Sequence, residues 1–204
     1  SLQAVAVRPD QTWYNPCKND NGGCSHLCFM TPDGYVCGCP DGQELKTVRG
    51  KECGEPDAFM MYSSHNALGR VSLSTPNSDD HILSIQDLTG VVSLDFDMSD
   101  GGRLYWSDLN DKRKKPKSIS RSFLNGSNVE VIIEFGLESP DSIAVDWIAK
   151  NIYWSDSVLK RIYVSKSDGT SKRVILWKNL GIPNQIVLGT KCSHYTNSKV
   201  RINI

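Results

Sequence analysis

The 204-residue sequence predicts a mainly β protein in which a small disulfide-rich module precedes repeated sheets of four short strands. Two observations predict this fold class: six of the seven cysteines fall within residues 17–53, and a Tyr-Trp-Ser-Asp sequence occurs twice, 48 residues apart. No segment keeps helical periodicity over three turns. A net charge of zero argues against a dedicated nucleic-acid-binding protein. No segment approaches the roughly 18 apolar residues of a membrane helix.

The cysteine cluster at 17–53 is rich in glycine, proline and polar residues and poor in large apolar side chains. So small and polar a segment needs covalent cross-links, which implies an oxidising compartment. A zinc site is the alternative, but Cys37-Gly38-Cys39 fits the paired cysteine spacing of zinc sites poorly. Spacing alone does not choose among the possible pairings of six cysteines.

Beyond residue 56, short alternating runs separated by turn residues predict an all-β domain. The predicted strands are 59–62, 70–73, 91–96, 103–107, 118–123, 129–133, 142–146, 151–155, 161–165 and 172–176.

These strands fall into a repeat, because residues 104–108 recur as residues 152–156. A strand and a turn follow each copy, Asn125-Gly126 in one and Asp168-Gly169 in the other. Such dipeptides favour the positive φ of a two-residue hairpin turn. Four short strands with a period in the forties predict the blades of a β-propeller.

Two stretches of the cysteine cluster, residues 21–28 and 34–42, resemble an EGF-like module of the LDL-receptor family. Calcium-binding modules of this kind carry acidic residues before the first cysteine, whereas this chain has residues 12–16, Thr-Trp-Tyr-Asn-Pro. We therefore expect no calcium, and no other metal or cofactor. A structural or solvent-exposed role is favoured for His26 over a ligand role. The resemblance implies the disulfides Cys17–Cys28, Cys24–Cys37 and Cys39–Cys53.

The Tyr-Trp-Ser-Asp sequence resembles the YWTD signature of LDL-receptor class B repeats, with serine in place of threonine. Serine and threonine both carry a hydroxyl, so a hydrogen bond that the threonine makes in the family could also form with serine. The resemblance implies that the aromatic residues pack between blades and that Asp108 and Asp156 tie neighbouring blades together. One aspartate per blade does not converge on a single site, which disfavours a catalytic or metal-binding role.

Residues 119–127 and 174–178 resemble the Wnt co-receptor branch of the LDL-receptor-related proteins. The implied organisation is a closing strand of a preceding propeller at 1–12, an EGF-like module at 13–54, a partial YWTD propeller at 57–188 and a divergent tail at 189–204. The partial propeller would hold about two to three of six blades, so a splice form, a fragment and a gene-model error all stay open. Open blade edges or Cys192 could then mediate self-association.

The resemblance implies a non-enzymatic, extracellular ligand-binding fragment of a receptor for Wnt proteins and for Dickkopf- or sclerostin-type antagonists. Membrane attachment is expected only through regions outside this sequence. A non-signalling or decoy product and endocytic lipoprotein-type ligand binding are the alternatives. An enzyme is disfavoured because neither G-x-S-x-G nor H-E-x-x-H occurs.

Residues of the loops before the innermost strands are the expected ligand-binding rim. At positions 139–142 the branch typically has Tyr-Pro-Glu-Gly, whereas this chain has Ser-Pro-Asp-Ser. At 183–184 the branch typically has Pro-Arg and this chain has Pro-Asn. This chain therefore lacks an aromatic residue and an arginine, two residue types that often dominate binding. The candidate rim residues are Ser139, Pro140, Asp141 and Asn184.

Two further surface features are candidate sites. Asn125 begins the sequon Asn-Gly-Ser, which predicts glycosylation at an accessible turn, although the same residues also make a good turn. A basic loop could bind heparan sulfate, although a solvated loop tip is favoured. Its cations are Lys112, Arg113, Lys114, Lys115 and Lys117.

Overall fold

The computed structural model describes residues 15–40, 42–47, 49–74, 80–110, 116–189 and 199–203. The predicted closing strand at 1–12, Cys192 and most of the basic loop at 112–115 lie outside these residues. The described residues form strands and two short 3-10 helices, Pro16–Lys18 and Asp20–Gly23. The predicted mainly β fold class is therefore confirmed.

The chain divides into two compact units, Ser1–Phe59 with Ser72–Ser78, and Met60–Val71 with Asp79–Ile204. The first unit contains two two-stranded sheets. They are β1–β2 (Leu27–Thr31, Gly34–Gly38) and β3–β4 (Glu44–Leu45, Cys53–Gly54).

Three disulfides hold the first unit together, and they join the pairs that the resemblance implies. Cys24 and Pro56 are the buried residues of this unit among those that the structure describes. Tyr35 adds a cross-link of another kind, because its hydroxyl donates to the Gly22 carbonyl at 2.8 Å. Disulfides thus replace a hydrophobic core, as expected for so small a unit.

The second unit consists mainly of antiparallel sheets in which consecutive strands are neighbours. A three-stranded sheet, β5–β6–β7 (Phe59–Ser64, Ala67–Ser72, His81–Ile82), begins at the boundary of the two units. The next sheet is β8–β11 (Val91–Asp97, Arg103–Asp108, Ser118–Phe123, Glu130–Ile133). It is followed by β12–β15 (Pro140–Asp146, Asn151–Asp156, Arg161–Lys166, Arg173–Leu176).

Residues of the predicted divergent tail form a strand. β17 (Lys199–Asn203) pairs antiparallel with β16 (Gln185–Gly189), and Ile186 lies opposite Ile202. The family resemblance stops at residue 188, so the sequence contained no repeat signal for this pairing.

The repeated aromatic residues pack on opposite faces of their strand. Trp106 lies in a buried cluster with Leu68 of the preceding three-stranded sheet and with Leu83, which directly follows that sheet in the chain. Tyr105 lies in a different cluster with Ile143 and Trp154, from the sheet that follows. Strand alternation therefore places apolar side chains on both faces of the first four-stranded sheet, as the blades of a propeller require.

The two Xaa-Gly turns differ from the predicted two-residue type. Gly126 and Gly169 have φ of 82° and 83°, but Asn125 and Asp168 do not have positive φ. The Phe123 amide donates to the Ser127 carbonyl and the Gly126 amide donates to the Phe123 carbonyl, each at 2.9 Å. The loop therefore encloses three residues, the pattern of a type I turn followed by a left-handed glycine. The glycines are also needed for packing, since a Cβ on Gly169 would clash with the Ile132 carbonyl of the preceding sheet.

We expect Gly169→Ala to destabilise the protein more than Gly101→Ala does. Gly101 has the same φ of 83° but nothing within 4 Å of a Cβ, so its substitution isolates the backbone strain, about 1–2 kcal/mol. Gly169→Ala adds a backbone clash between sheets. Urea unfolding of both variants measures the difference, and equal losses would contradict a close approach at Gly169.

Candidate functional site

The first strands of successive sheets are joined by side-chain oxygens that accept backbone N–H groups. Ser93 of β8 accepts from the Ile143 amide of β12 at 3.1 Å, and Ser142 of β12 accepts from the Ile186 amide of β16 at 3.1 Å. The repeated serine thus performs the same task at two successive junctions. All three strands begin at one end of their sheets, which is the end that carries the candidate rim.

Asp95 forms an additional connection between β8 and β12. Its Oδ2 accepts from the Val145 amide at 2.7 Å. Burial raises the pKa of Asp95, although the amides of Val145 and Phe96 favour its charged form. Ala144 stands at the corresponding position of β12 and cannot repeat this bond. A carboxylate between two apolar residues of the strand, Leu94 and Phe96, is the sequence signal that could have identified Asp95.

Asp108 and Asp156 are buried, and each accepts one backbone N–H from the segment that leads into its sheet and one from the turn that follows its own strand. Asp108 accepts from the amides of Thr89 at 3.1 Å and Asn110 at 2.7 Å. Asp156 accepts from the amides of Glu138 at 2.8 Å and Leu159 at 2.9 Å. Each carboxylate therefore anchors the segment leading into its own sheet, an arrangement that is structural in chemistry.

The serines that replace the threonine of the YWTD signature do not make the expected hydrogen bond. Ser107 and Ser155 are fully buried, and their hydroxyls have no hydrogen-bond partner among the residues that the structure describes. A buried hydroxyl without a partner costs free energy rather than stabilising the fold.

The rim residues differ in what they present to solvent. Asp141 is half-buried, and its carboxylate accepts from the Ser139 hydroxyl at 2.8 Å and the Ser157 amide at 3.1 Å. Pro140 is fully buried, so its ring packs inside the domain instead of facing a ligand. Asn184 is exposed immediately before β16. The structure thus brings Ser139 and Asp141 into contact, while Asn184 belongs to the next inner strand.

Lys117 is the one member of the predicted basic loop that the structure describes. Its Nζ lies 3.5 Å from a carboxylate oxygen of Glu138, next to the rim. Both side chains are partly exposed, so this ion pair contributes little to stability.

Asn125 is exposed at its turn. Its Oδ1 accepts from the Ser127 amide at 2.9 Å and the Ser127 hydroxyl at 2.7 Å. Asp168 and Thr170 repeat this arrangement, which shows that the turn forms without a sequon.

At the end of the sheets opposite the rim, Lys150 joins the two four-stranded sheets. Its Nζ lies 3.1 Å from Asp97 and 2.9 Å from Asp100. Burial raises the pKa of Asp97, but hydrogen bonds from Ser99 and the ion pair with Lys150 outweigh it, so the pKa lies below its usual range. Nothing in the sequence relates Lys150 to Asp97, because they belong to different sheets.

The described residues contain neither a candidate metal site nor a membrane-spanning helix. No group of three or more His, Cys, Asp or Glu side chains there could hold a metal ion. No helix in this part of the chain has the length and apolarity needed to cross a membrane.

Comparisons with known proteins agree with this geometry. The family model "Coagulation Factor Xa inhibitory site" matches residues 17–53, and "Low-density lipoprotein receptor repeat class B" matches residues 102–147. A chain of the solved nidogen–laminin complex is 30% identical with a TM-score of 0.57, over 64% of this chain and 49% of that chain.

Among curated proteins, human low-density lipoprotein receptor-related protein 5 is 48% identical over 67% of this chain. Human low-density lipoprotein receptor-related protein 4 is 40% identical over 73% of it. The chain spans only 8% of the length of each.

The disulfide-rich module and the class B repeat sheets that follow it identify the chain as an extracellular segment of a receptor of the low-density lipoprotein receptor type. The chain belongs to the low-density lipoprotein receptor-related protein family.

We expect Ser155→Ala to leave the free energy of unfolding unchanged or to raise it by up to about 1 kcal/mol, because it removes an unpartnered hydroxyl. Ser142→Ala is the matched control. It removes the acceptor of the buried Ile186 amide and should cost about 1–3 kcal/mol. Thermal unfolding of both variants tests this, and equal destabilisation would mean that the Ser155 hydroxyl has a partner.

We expect the stabilising effect of Lys150 to fade in acid. Asp97 has a lowered pKa in the folded state, so its contribution is present above the ordinary value of 3.8 and is lost as the pH falls through the lowered pKa. The difference in Tm between the parent protein and Lys150→Met should therefore shrink between pH 6 and about pH 2. Lys160→Met, at an exposed cation, is the control. A difference in Tm that is constant with pH would exclude this ion pair.

Proposed function

We propose that this segment contributes to an extracellular receptor and binds a secreted protein ligand at the rim around Asp141. The observation that carries the proposal is the fixed, half-exposed carboxylate of Asp141, held between Ser139 and Ser157 at the start of an inner strand. A charged group fixed by neighbouring hydrogen bonds on a rigid element is suited to recognition, because little side-chain freedom is lost on binding.

The proposed ligands are Wnt proteins and Dickkopf- or sclerostin-type antagonists, and the proposed process is Wnt signalling. The family membership supports a protein ligand, and the chemistry of the rim favours a basic one. Asp141 and Glu138 supply two carboxylates there, whereas Lys117 is the cation that contacts Glu138. A ligand lysine or arginine could replace Lys117 at Glu138.

We also propose that Asn125 carries an N-linked glycan. Its side chain is exposed, and its Nδ2, the atom that would be glycosylated, makes no hydrogen bond to a described residue. The turn glycine, Gly126, is buried, but a glycan on Asn125 would extend away from it into solvent.

We expect Asp141→Lys to weaken binding of a Dickkopf-type antagonist by about tenfold or more, because it reverses the charge that faces the ligand. Asp100→Lys is the matched control, with the same charge change on an exposed side chain at the opposite end of the sheets. Biolayer interferometry on the secreted, glycosylated chain gives the affinities, and thermal unfolding verifies the fold of each variant.

Three outcomes would contradict the proposal. They are an absence of binding by the folded parent chain, unchanged affinity of Asp141→Lys, and equal losses in both variants. Equal losses would indicate that overall charge, and not the rim, governs the interaction.

A further inference from the structure

A shallow pocket of about 350 Å³ lies at one end of the β14–β15 pair, lined by Arg161, Val174 and Trp177. Ile162 and Leu176 are paired across these strands, so Arg161 and Trp177 each lie one residue beyond that pair at the same end. The Trp177 side chain is 56% exposed. An aromatic ring beside a guanidinium in an open pocket is a combination typical of binding sites.

Cations surround this pocket. Lys160 precedes Arg161, Arg173 precedes Val174, and Lys178 follows Trp177 with its Nζ 6.0 Å from the indole ring. Together with Arg161, they are exposed, and none of the four forms an ion pair with another described residue. Lys172 differs, because it donates to the carbonyl of Phe135 at 2.7 Å.

The sequence around the pocket is strongly basic although the whole chain is neutral. Residues 157–204 contain nine lysines and arginines but one acidic residue, Asp168. The first 156 residues contain 14 lysines and arginines and 22 acidic residues. A region of one charge sign raises the local concentration of oppositely charged ligands.

We propose that this pocket binds a sulfated polysaccharide. The exposed Trp177 ring offers an apolar surface to the C–H groups of one sugar ring, and the planar Arg161 guanidinium can donate two parallel hydrogen bonds to a sulfate or uronate. The flanking cations would meet successive charges of a polyanion. Val174 is the one aliphatic lining residue, so the pocket offers little to the apolar side chains of an acidic peptide.

This site lies on β14 and β15, at the same end of the sheet as the rim on β12, and does not rest on the protein ligand proposed there. It also differs from the basic loop at 112–117. The test is elution of the secreted chain from immobilised heparin by salt, together with the affinity for a heparin octasaccharide. The pocket variant is Arg161→Gln with Lys178→Gln. The matched control is Lys112→Gln with Lys114→Gln, which removes the same number of charges from the basic loop.

The pocket variant should elute at clearly lower salt than the loop control, and Trp177→Ala should weaken octasaccharide binding about tenfold without lowering Tm. A larger shift for the loop control, or unchanged affinity of Trp177→Ala, would overturn the proposal. Competition by polyglutamate as effective as that by heparin would also overturn it, in favour of an acidic polypeptide.

Discussion

The arrangement of the second unit depends on how the first strand of each sheet satisfies its backbone N–H groups. β12 and β16 are edge strands of their own sheets, and among the described residues no neighbouring strand pairs with them on one side. Buried N–H groups must nevertheless be paired. Ser93, Asp95 and Ser142 supply the acceptors, so short polar side chains connect one sheet to the next.

The connecting segments obey the same constraint. Asp108 and Asp156 are buried carboxylates, and each is stabilised because it accepts two backbone N–H groups. The bonds from Thr89 and Glu138 fix the segment that leads into each sheet and thereby the start of its first strand. Asp141 lies at such a start, so the position of the proposed ligand-binding rim follows from the hydrogen bonds that assemble the sheets.

The sequence predicted well whatever depends on local periodicity. The four-strand repeat, the opposite faces of Tyr105 and Trp106, and the disulfide-rich character of residues 17–53 all follow from spacing and composition. The turn type was predicted incorrectly because an Xaa-Gly dipeptide suits both a two-residue turn and a three-residue turn with a left-handed glycine. Local periodicity does not predict contacts between residues that are distant in the chain. It therefore could not predict the burial of Pro140, the lack of a partner for the Ser155 hydroxyl or the contacts of Lys150.

Net charge was the least informative property of this chain, because a neutral total can conceal two opposite regions. Its zero value argues against a uniformly basic protein, yet residues 157–204 hold nine lysines and arginines against one acidic residue. The lining and flanking cations of the Trp177 pocket belong to this basic segment, whereas Asp141 and Glu138 belong to the acidic segment before it, although both surfaces lie at the same end of the sheet. Because screening confines each field to about 10 Å at ordinary ionic strength, local charge and not the total determines which ligand each surface attracts.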